Sequence, residues 1–363
     1  MKGYQKDSGE GLSDAHCKPV VRVALDAMGG DHGPGQLVEG AVQAVNEYGH
    51  QVVLLGDRGL LEEALTRHAQ QLGANRGKIS IVHTTEVVGM DESPMEGIRK
   101  KKDSSIRVAF QLLQQQKVEA VVSAGNSGAT MAAAVKEVGR LPGISRPGIA
   151  GIFPTLKLPL VIMDVGANVD CRPQHLYQFA VMATAFSKAL FGVENPKVGL
   201  LSIGEEGGKG NALVKGTHEI LTHSTLNYTG NIEGRDIFHG DVDVVVCDGF
   251  VGNVCLKLSE GLAEAMVAML REEFTKNLKS KVGYLLTRTA YANIKKRTDY
   301  AEYGGGPLLG LNGTGIICHG RSNAMAIKNA IRVAAELVQN RMNDRILDLL
   351  AVPEPLGLTQ DVA

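Results

Sequence analysis

Five glycine-rich turns, each standing where a β-branched run gives way to a helical pattern, constrain this chain more than any other feature. They lie at 25–34, 123–129, 164–168, 204–211 and 248–253. The β-branched runs predict strands over 20–27, 51–56, 78–83, 119–124, 160–165, 197–203 and 243–247. Apolar residues at helical spacing fill 36–48, 60–72, 104–116, 174–190 and 211–222. Such alternation implies βαβ units and a largely parallel sheet with helices on both faces, an α/β protein of three-layer αβα type. Ligands of such sheets sit at the carboxyl ends of strands, which is where all the turns fall. The rhythm breaks at 252–277 and 279–297, two successive helical patterns with no strand between them. They predict a helix pair projecting from the sheet over 252–300. The chain then returns through Tyr303-Gly304-Gly305-Gly306-Pro307 to a strand at 315–319 and a helix from Ser322. Residues 20–351 are expected to form one α/β domain. Residues 1–19, polar and without the apolar stretch of a signal peptide, are expected to be a disordered extension, and 352–363 a loose tail.

Composition narrows the function. The 44 glycines against 12 prolines fit many tight loops, and a formal net charge of -1 provides no global field for nucleic acid. A phosphate or membrane site must therefore be a local cluster of bases. The five cysteines (Cys17, Cys171, Cys247, Cys255, Cys318) form no CxxC pair, which suits a reducing cytosol better than disulfides or a structural zinc. The chain has no run of 18 apolar residues, so no transmembrane helix is expected.

Each turn has a reading as part of an anion site and a plainer one. In 25–34, Gly29 and Gly30 let the backbone fold tightly beside Asp26 and His32, and the next helix offers its N-terminus to a phosphate. No G-x-G-x-x-G can be laid over it; the competing reading is a tight turn with Asp31 capping the helix. The 123–129 turn falls one glycine short of a nucleophile elbow, Ala129 standing in the last place. The preferred reading is a small-residue helix start at which Asn126, Ser127 and Gly128 receive an anion. Asp164 and Asn168 either join that site or brace neighbouring loops. The 204–211 turn fails as a Walker A loop, with Ile203 and Gly210 at two required positions. It leaves Lys209 as a point charge for phosphate or a solvated lysine. Asn253 either donates its amide to a carbonyl oxygen or caps the long helix.

In order along the chain stand DAMGGDH (26–32), RKKKDSS (99–105), SAGNSGA (123–129), DVGAN (164–168) and GKGN (208–211). GNIEGRDI (230–237), DGFVGN (248–253), EYGGGPLLG (302–310) and HGRS (319–322) follow. Together these resemble the PlsX family of acyl-carrier-protein:phosphate acyltransferases over roughly 21–341, departing only at Ser127, where Thr is expected, and mildly at Gly306. The resemblance implies an isocitrate/isopropylmalate dehydrogenase-like fold shared with phosphotransacetylases, a homodimer, and no metal or nicotinamide. It also implies catalytic roles for Lys209 and Asn253. The reaction it implies moves an acyl group from acyl carrier protein to inorganic phosphate. The acyl phosphate then serves glycerol-3-phosphate acylation in phospholipid synthesis, through a membrane acyltransferase. Rival readings are a short-chain phosphotransacetylase using acyl-CoA, an NAD-dependent dehydrogenase on the same fold, and a non-catalytic membrane scaffold.

Two further surfaces stand out. Arg99, Lys100, Lys101 and Lys102 are four adjacent bases, read as a docking patch for the acidic carrier protein or as a solvated helix face. Leu278, Val282, Leu285 and Leu286 recur at i, i+4, i+7 and i+8, with Lys276, Lys279, Lys281, Arg288, Lys295, Lys296 and Arg297 around them. Apolar residues flanked by bases suit a helix lying on anionic lipid; packing in a dimeric bundle is the alternative. The expected location is cytoplasmic, peripheral to the inner face of the cell membrane.

Overall fold

The computed structural model describes residues 19–31, 33–298 and 300–351. His32, most of the N-terminal extension, the tail at 352–363 and the side chain of Lys295 lie outside the described residues. Strands β1 (Arg22–Asp26), β2 (Gln51–Gly56), β3 (Ile79–His83) and β4 (Ala120–Ser123) open the sheet. Strands β5 (Gly148–Phe153), β6 (Leu160–Met163), β7 (Val198–Leu201) and β8 (Tyr228–Ile232) follow. Last come β9 (Val244–Val246), β10 (Gly306–Leu309) and β11 (Thr314–Ile317). They form one sheet in the order β3-β2-β1-β4-β11-β10-β5-β6-β9-β7-β8.

The helices are α1 (Pro34–Tyr48), α2 (Arg58–Arg67), α3 (Ala69–Leu72), α4 (Pro94–Lys100), α5 (Ser105–Gln114) and α6 (Ser127–Glu137). After them come α7 (Pro173–Phe191), α8 (Ala212–His223), α9 (Gly249–Thr275), α10 (Leu278–Thr298), α11 (Ala324–Gln339) and α12 (Met342–Leu350). The sheet is buried on both faces because strand side chains alternate. Val23 and Leu25 of β1 join one core with Leu37 of α1, Phe179 of α7 and Ile331 of α11. Ala24 between them joins a second core with Phe110 of α5 and Ala133 of α6. This is a three-layer α/β fold, as the alternation of strands and helices predicts.

Three strands are absent from the sequence reading: β5 (GIAGIF), β8 (YTGNI) and β10 (GPLL). Glycine, asparagine and proline lower the intrinsic strand preference of all three segments. Only pairing with neighbours inside the sheet makes them strands. Of these, β5 and β10 also carry the departure from a parallel sheet, since β10 runs antiparallel to both β11 and β5, and β5 antiparallel to β6. Strand β5 therefore serves both halves. Its Gly148 and Ile149 pair with β10, whereas Ala150 to Phe153 pair with β6. The turns after β4 and those after β6 meet at this strand.

Candidate active site

The turns after β1 and β4 are locked back to back. The buried Asp26 carboxylate accepts the Ser123 hydroxyl at 2.8 Å and the Gly29 amide at 3.2 Å. Burial raises its pKa, and the hydrogen bond from Ser123 works against the rise. A Cβ at Gly29 would fall 2.6 Å from the Gly125 nitrogen, so the two backbones touch. Asp31 does not cap α1, whose N-cap is Gly33; its amide instead donates to the Gly320 carbonyl at 2.8 Å. Asn126 caps α6 by accepting the Ala129 amide at 3.0 Å, and its amide nitrogen donates to the carbonyls of Gly89, Met90 and Glu92. Its polar atoms thus hold the 89–92 loop in place. Ser127 and Gly128, the first residues of α6, line cavities.

Asp164 organises the next turn. Its buried carboxylate accepts the amides of Ile149 (3.1 Å), Gly166 (3.2 Å), Ala167 (3.1 Å) and Asn168 (2.6 Å). The Asn168 side chain donates to it at 2.9 Å and to the Pro147 carbonyl at 2.8 Å. Both residues thus brace loops. Helix α9 is pressed onto this loop. A Cβ at Gly252 would fall 1.9 Å from the Asp164 carbonyl oxygen, and one at Gly249 would fall 2.7 Å from that of Asn168. The spacing G-x-x-G thus brings a bare helix face against the loop, as i, i+3 residues share one face. Asp248 caps α9 through the Val251 amide at 2.9 Å, which removes capping as the role of Asn253. One residue past Gly252, the Asn253 side chain sits against Gly166, its Oδ1 3.4 Å from where a Gly166 Cβ would stand.

Asn253 lines a chamber of about 320 Å³ together with Ser127, Ile149, Lys257, Gly305 and His319. His319 accepts the Arg321 amide on Nδ1 at 3.3 Å, and burial lowers its pKa, which favours the neutral ring near pH 7. Lys257 is paired with Glu260 at 2.9 Å. His319, Lys257 and Met90 were not singled out from the sequence as site residues. The signal for His319 was its place just after the final strand, in HGRS. A second, larger cavity of about 960 Å³ runs between α4 and α6 and shares Ser127 and Ile149 with the chamber.

Lys209 lies elsewhere on the same sheet edge. Strand β7 pairs in parallel with β9, so the turn that carries Lys209 and the turn that carries Asn253 leave neighbouring strand ends. Asn211 caps α8 through the Val214 amide, and the Lys209 side chain is exposed and lines neither cavity. Of the four adjacent bases, Lys100 pairs with Glu96, and Lys101 pairs with Glu92 and also donates to the Val87 carbonyl. Arg99 and Lys102 are exposed, and Arg99 lies at the rim of the larger cavity. Leu278, Val282, Leu285 and Leu286 are all exposed on α10. Among the described residues, no helix is long and apolar enough to cross a membrane.

A family model described as "Fatty acid synthesis protein" matches residues 21–345. The chain belongs to that family. It is 54% identical over 340 residues to a phosphate acyltransferase of Geotalea uraniireducens, covering 94% of this chain and 97% of the relative. It is 56% identical over 342 residues to that of Syntrophotalea carbinolica, with the same coverage. The chain is thus a member of the phosphate acyltransferase family that the motifs resemble. Among solved structures, it is similar to a phosphotransacetylase from Streptococcus pyogenes, with a TM-score of 0.60 and 19% identity, covering 88% of this chain and 94% of that one. A branched-chain phosphotransacylase from Enterococcus faecalis gives a TM-score of 0.53 at 15% identity, covering 88% and 99%. At these identities the likeness concerns the fold.

Proposed function

We propose that the protein transfers a fatty acyl group from acyl carrier protein to inorganic phosphate, releasing free carrier and an acyl phosphate for glycerol-3-phosphate acylation. The observation that carries this reading is the chamber in which the Asn253 amide faces Gly166 beside the first turn of α6. A phosphate oxygen adds to the thioester carbonyl, and the tetrahedral oxyanion collapses with loss of the carrier thiolate. A thiol with a pKa of about 8.5 leaves without a strong general acid, so no triad is needed, and the attack is direct, with no acyl-enzyme. Asn253 donates to the oxyanion, with a backbone amide beside it. Lys209 and the amides of the 29–33 and 125–128 turns bind the phosphate, which is held in line for attack. Asp26 and Asn126 act by fixing those turns, and Asp164 and Asn168 by fixing the loop against which Asn253 sits.

In this reading the carrier docks at the basic patch, where Arg99 and Lys102 are the bases that form no salt bridge among the described residues. Two copies of the chain pair through the helical projection, and the leucines of α10 rest on the inner face of the cell membrane, close to the acyltransferase that takes the product. The test combines purified protein, palmitoyl carrier protein and phosphate, with acyl phosphate as readout. Asn253→Ala should lower kcat by roughly 100-fold or more, the usual cost of one oxyanion donor, and Lys209→Ala should raise the KM for phosphate and remove most activity. Near-normal rates in both folded variants would remove these roles. Transfer from short acyl-CoA alone would replace the reaction by that of a short-chain phosphotransacetylase.

A further inference from the structure

The cavity of about 960 Å³ between α4 and α6 meets the phosphate turn at Ser127 and Gly128, and the apolar part of its lining has no part in the chemistry described above. Its walls are two facing helix stripes. On α6, Ser127, Gly128, Met131, Ala132 and Val135 recur at i, i+1, i+4, i+5 and i+8, one face of a helix, and Pro94, Met95, Ile98 and Arg99 repeat the pattern on α4. The two stripes converge at their N-termini, where a Cβ at Gly128 would fall 2.6 Å from Cγ of Pro94. At that inner end the groove shares Ser127 and Ile149 with the chamber, and it is also lined by Gly166, the neighbour of Asn253. At the outer end stand Val135, Lys136 and Arg99. Met95 is 73% exposed and Val135 is 37% exposed, so apolar surface stands open along a groove that leads to the reacting atoms.

We propose that this groove holds the hydrocarbon chain of the acyl substrate, with the carbonyl carbon between Ser127 and Asn253 and the chain running past Met131 towards Val135. This rests on the phosphate acyltransfer reading above. Helix α6 rises about 12 Å from Ser127 to Val135, at about 1.5 Å per residue. An extended chain advances about 1.2 Å per bond, a third of the roughly 3.3–3.6 Å spanned by one residue. The groove therefore covers about ten carbons and leaves the rest of a longer chain at the Val135 end. Met131 and Met95 suit such a ligand, because unbranched thioethers adapt to a flexible alkyl chain. These residues would thereby set chain-length preference.

The experiment measures kcat/KM for butyryl, octanoyl, decanoyl and palmitoyl carrier thioesters, beside photolabelling with a palmitoyl thioester bearing a diazirine near the eighth carbon. The unaltered enzyme should gain up to roughly fourfold per methylene, levelling near ten carbons. Met131→Trp should shift the palmitoyl-to-butyryl ratio down by about tenfold or more, the scale of methylene discrimination in an apolar pocket. Val135→Trp, at an open position where folding is not at stake, should lower the palmitoyl-to-decanoyl ratio. The label should fall on α4 or α6. A ratio unchanged in both variants, or a label on α9 or α10, would overturn the assignment. Labelling at Met131 without acyl phosphate from any thioester would retain the groove and discard the reaction.

Discussion

In its first turn α9 lies against the loop after β6, with Gly252 on the Asp164 carbonyl, while further along the same helix Leu258 and Leu262 stand 70% and 58% exposed. The two regions differ in where their partners are. Around Asn253 the chain supplies its own: Asp164 takes five hydrogen bonds from β5 and the loop after β6, counting the four amides and the Asn168 side chain. Along α9 and α10 the inner contacts are few. Phe274, Tyr284 and Tyr291 form a cluster with ring centroids 5.2–5.7 Å apart. Beyond it, Met266 and Leu286 are 55% and 81% exposed. Exposed apolar side chains of this kind are what a partner chain or lipid would cover. The turn around Asn253 is built from within, whereas the projection leaves its apolar side chains exposed.

The largest effects should come from breaking the self-satisfied region. Asp164→Ala leaves its donors facing a void, and the cost should reach about 3–5 kcal/mol, as when one partner of a buried charged network is removed; urea unfolding would measure it. Gly252→Ala should be comparably damaging, because the new methyl group meets a backbone carbonyl. Gly283→Ala on α10 meets nothing within 4 Å and should stabilise by up to about 1 kcal/mol through helix propensity. Equal losses at Gly252 and Gly283 would break the comparison.

Next in size is the interaction of the projection itself. Leu285→Glu/Leu286→Glu should abolish flotation with anionic vesicles and change the midpoint of urea unfolding little, since both side chains are exposed. Failure of the unaltered protein to float, or unchanged flotation of the double variant, would assign these leucines to a dimer instead. The smallest effect concerns the basic patch. Arg99→Glu/Lys102→Glu should raise the KM for carrier thioester several-fold at low salt, fading as salt rises, with the KM for phosphate unchanged. Lys101 is the poorer choice for this test, because it also holds Glu92 and the Val87 carbonyl. Equal shifts in both KM values would move the patch into the phosphate site.

Local chemistry determined what repeats along the chain. Strands β1, β2, β6 and β9 are runs of Val, Leu, Ile and Met dense enough to be strands in any buried setting, and the α9–α10 pattern is too long to be anything but helix. The turns were legible too, because glycine beside Asp or Asn at a strand end has few other uses. Tertiary structure decided the rest. Strands β5 and β10 exist because neighbouring strands hold them, although Gly148, Gly151, Gly306 and Pro307 argue against strand locally. The hydrogen-bond partners inside the turns were decided the same way. Sequence marks Asn126 and Asp164 as polar groups at strand ends, but only packing reveals that their atoms are occupied by the protein, leaving Asn253 and Ser127 to face the chamber. The physical reason is distance along the chain. Asn126 is held by residues 34–37 positions away and Asp26 by Ser123, 97 positions away, and no local pattern encodes a partner so remote.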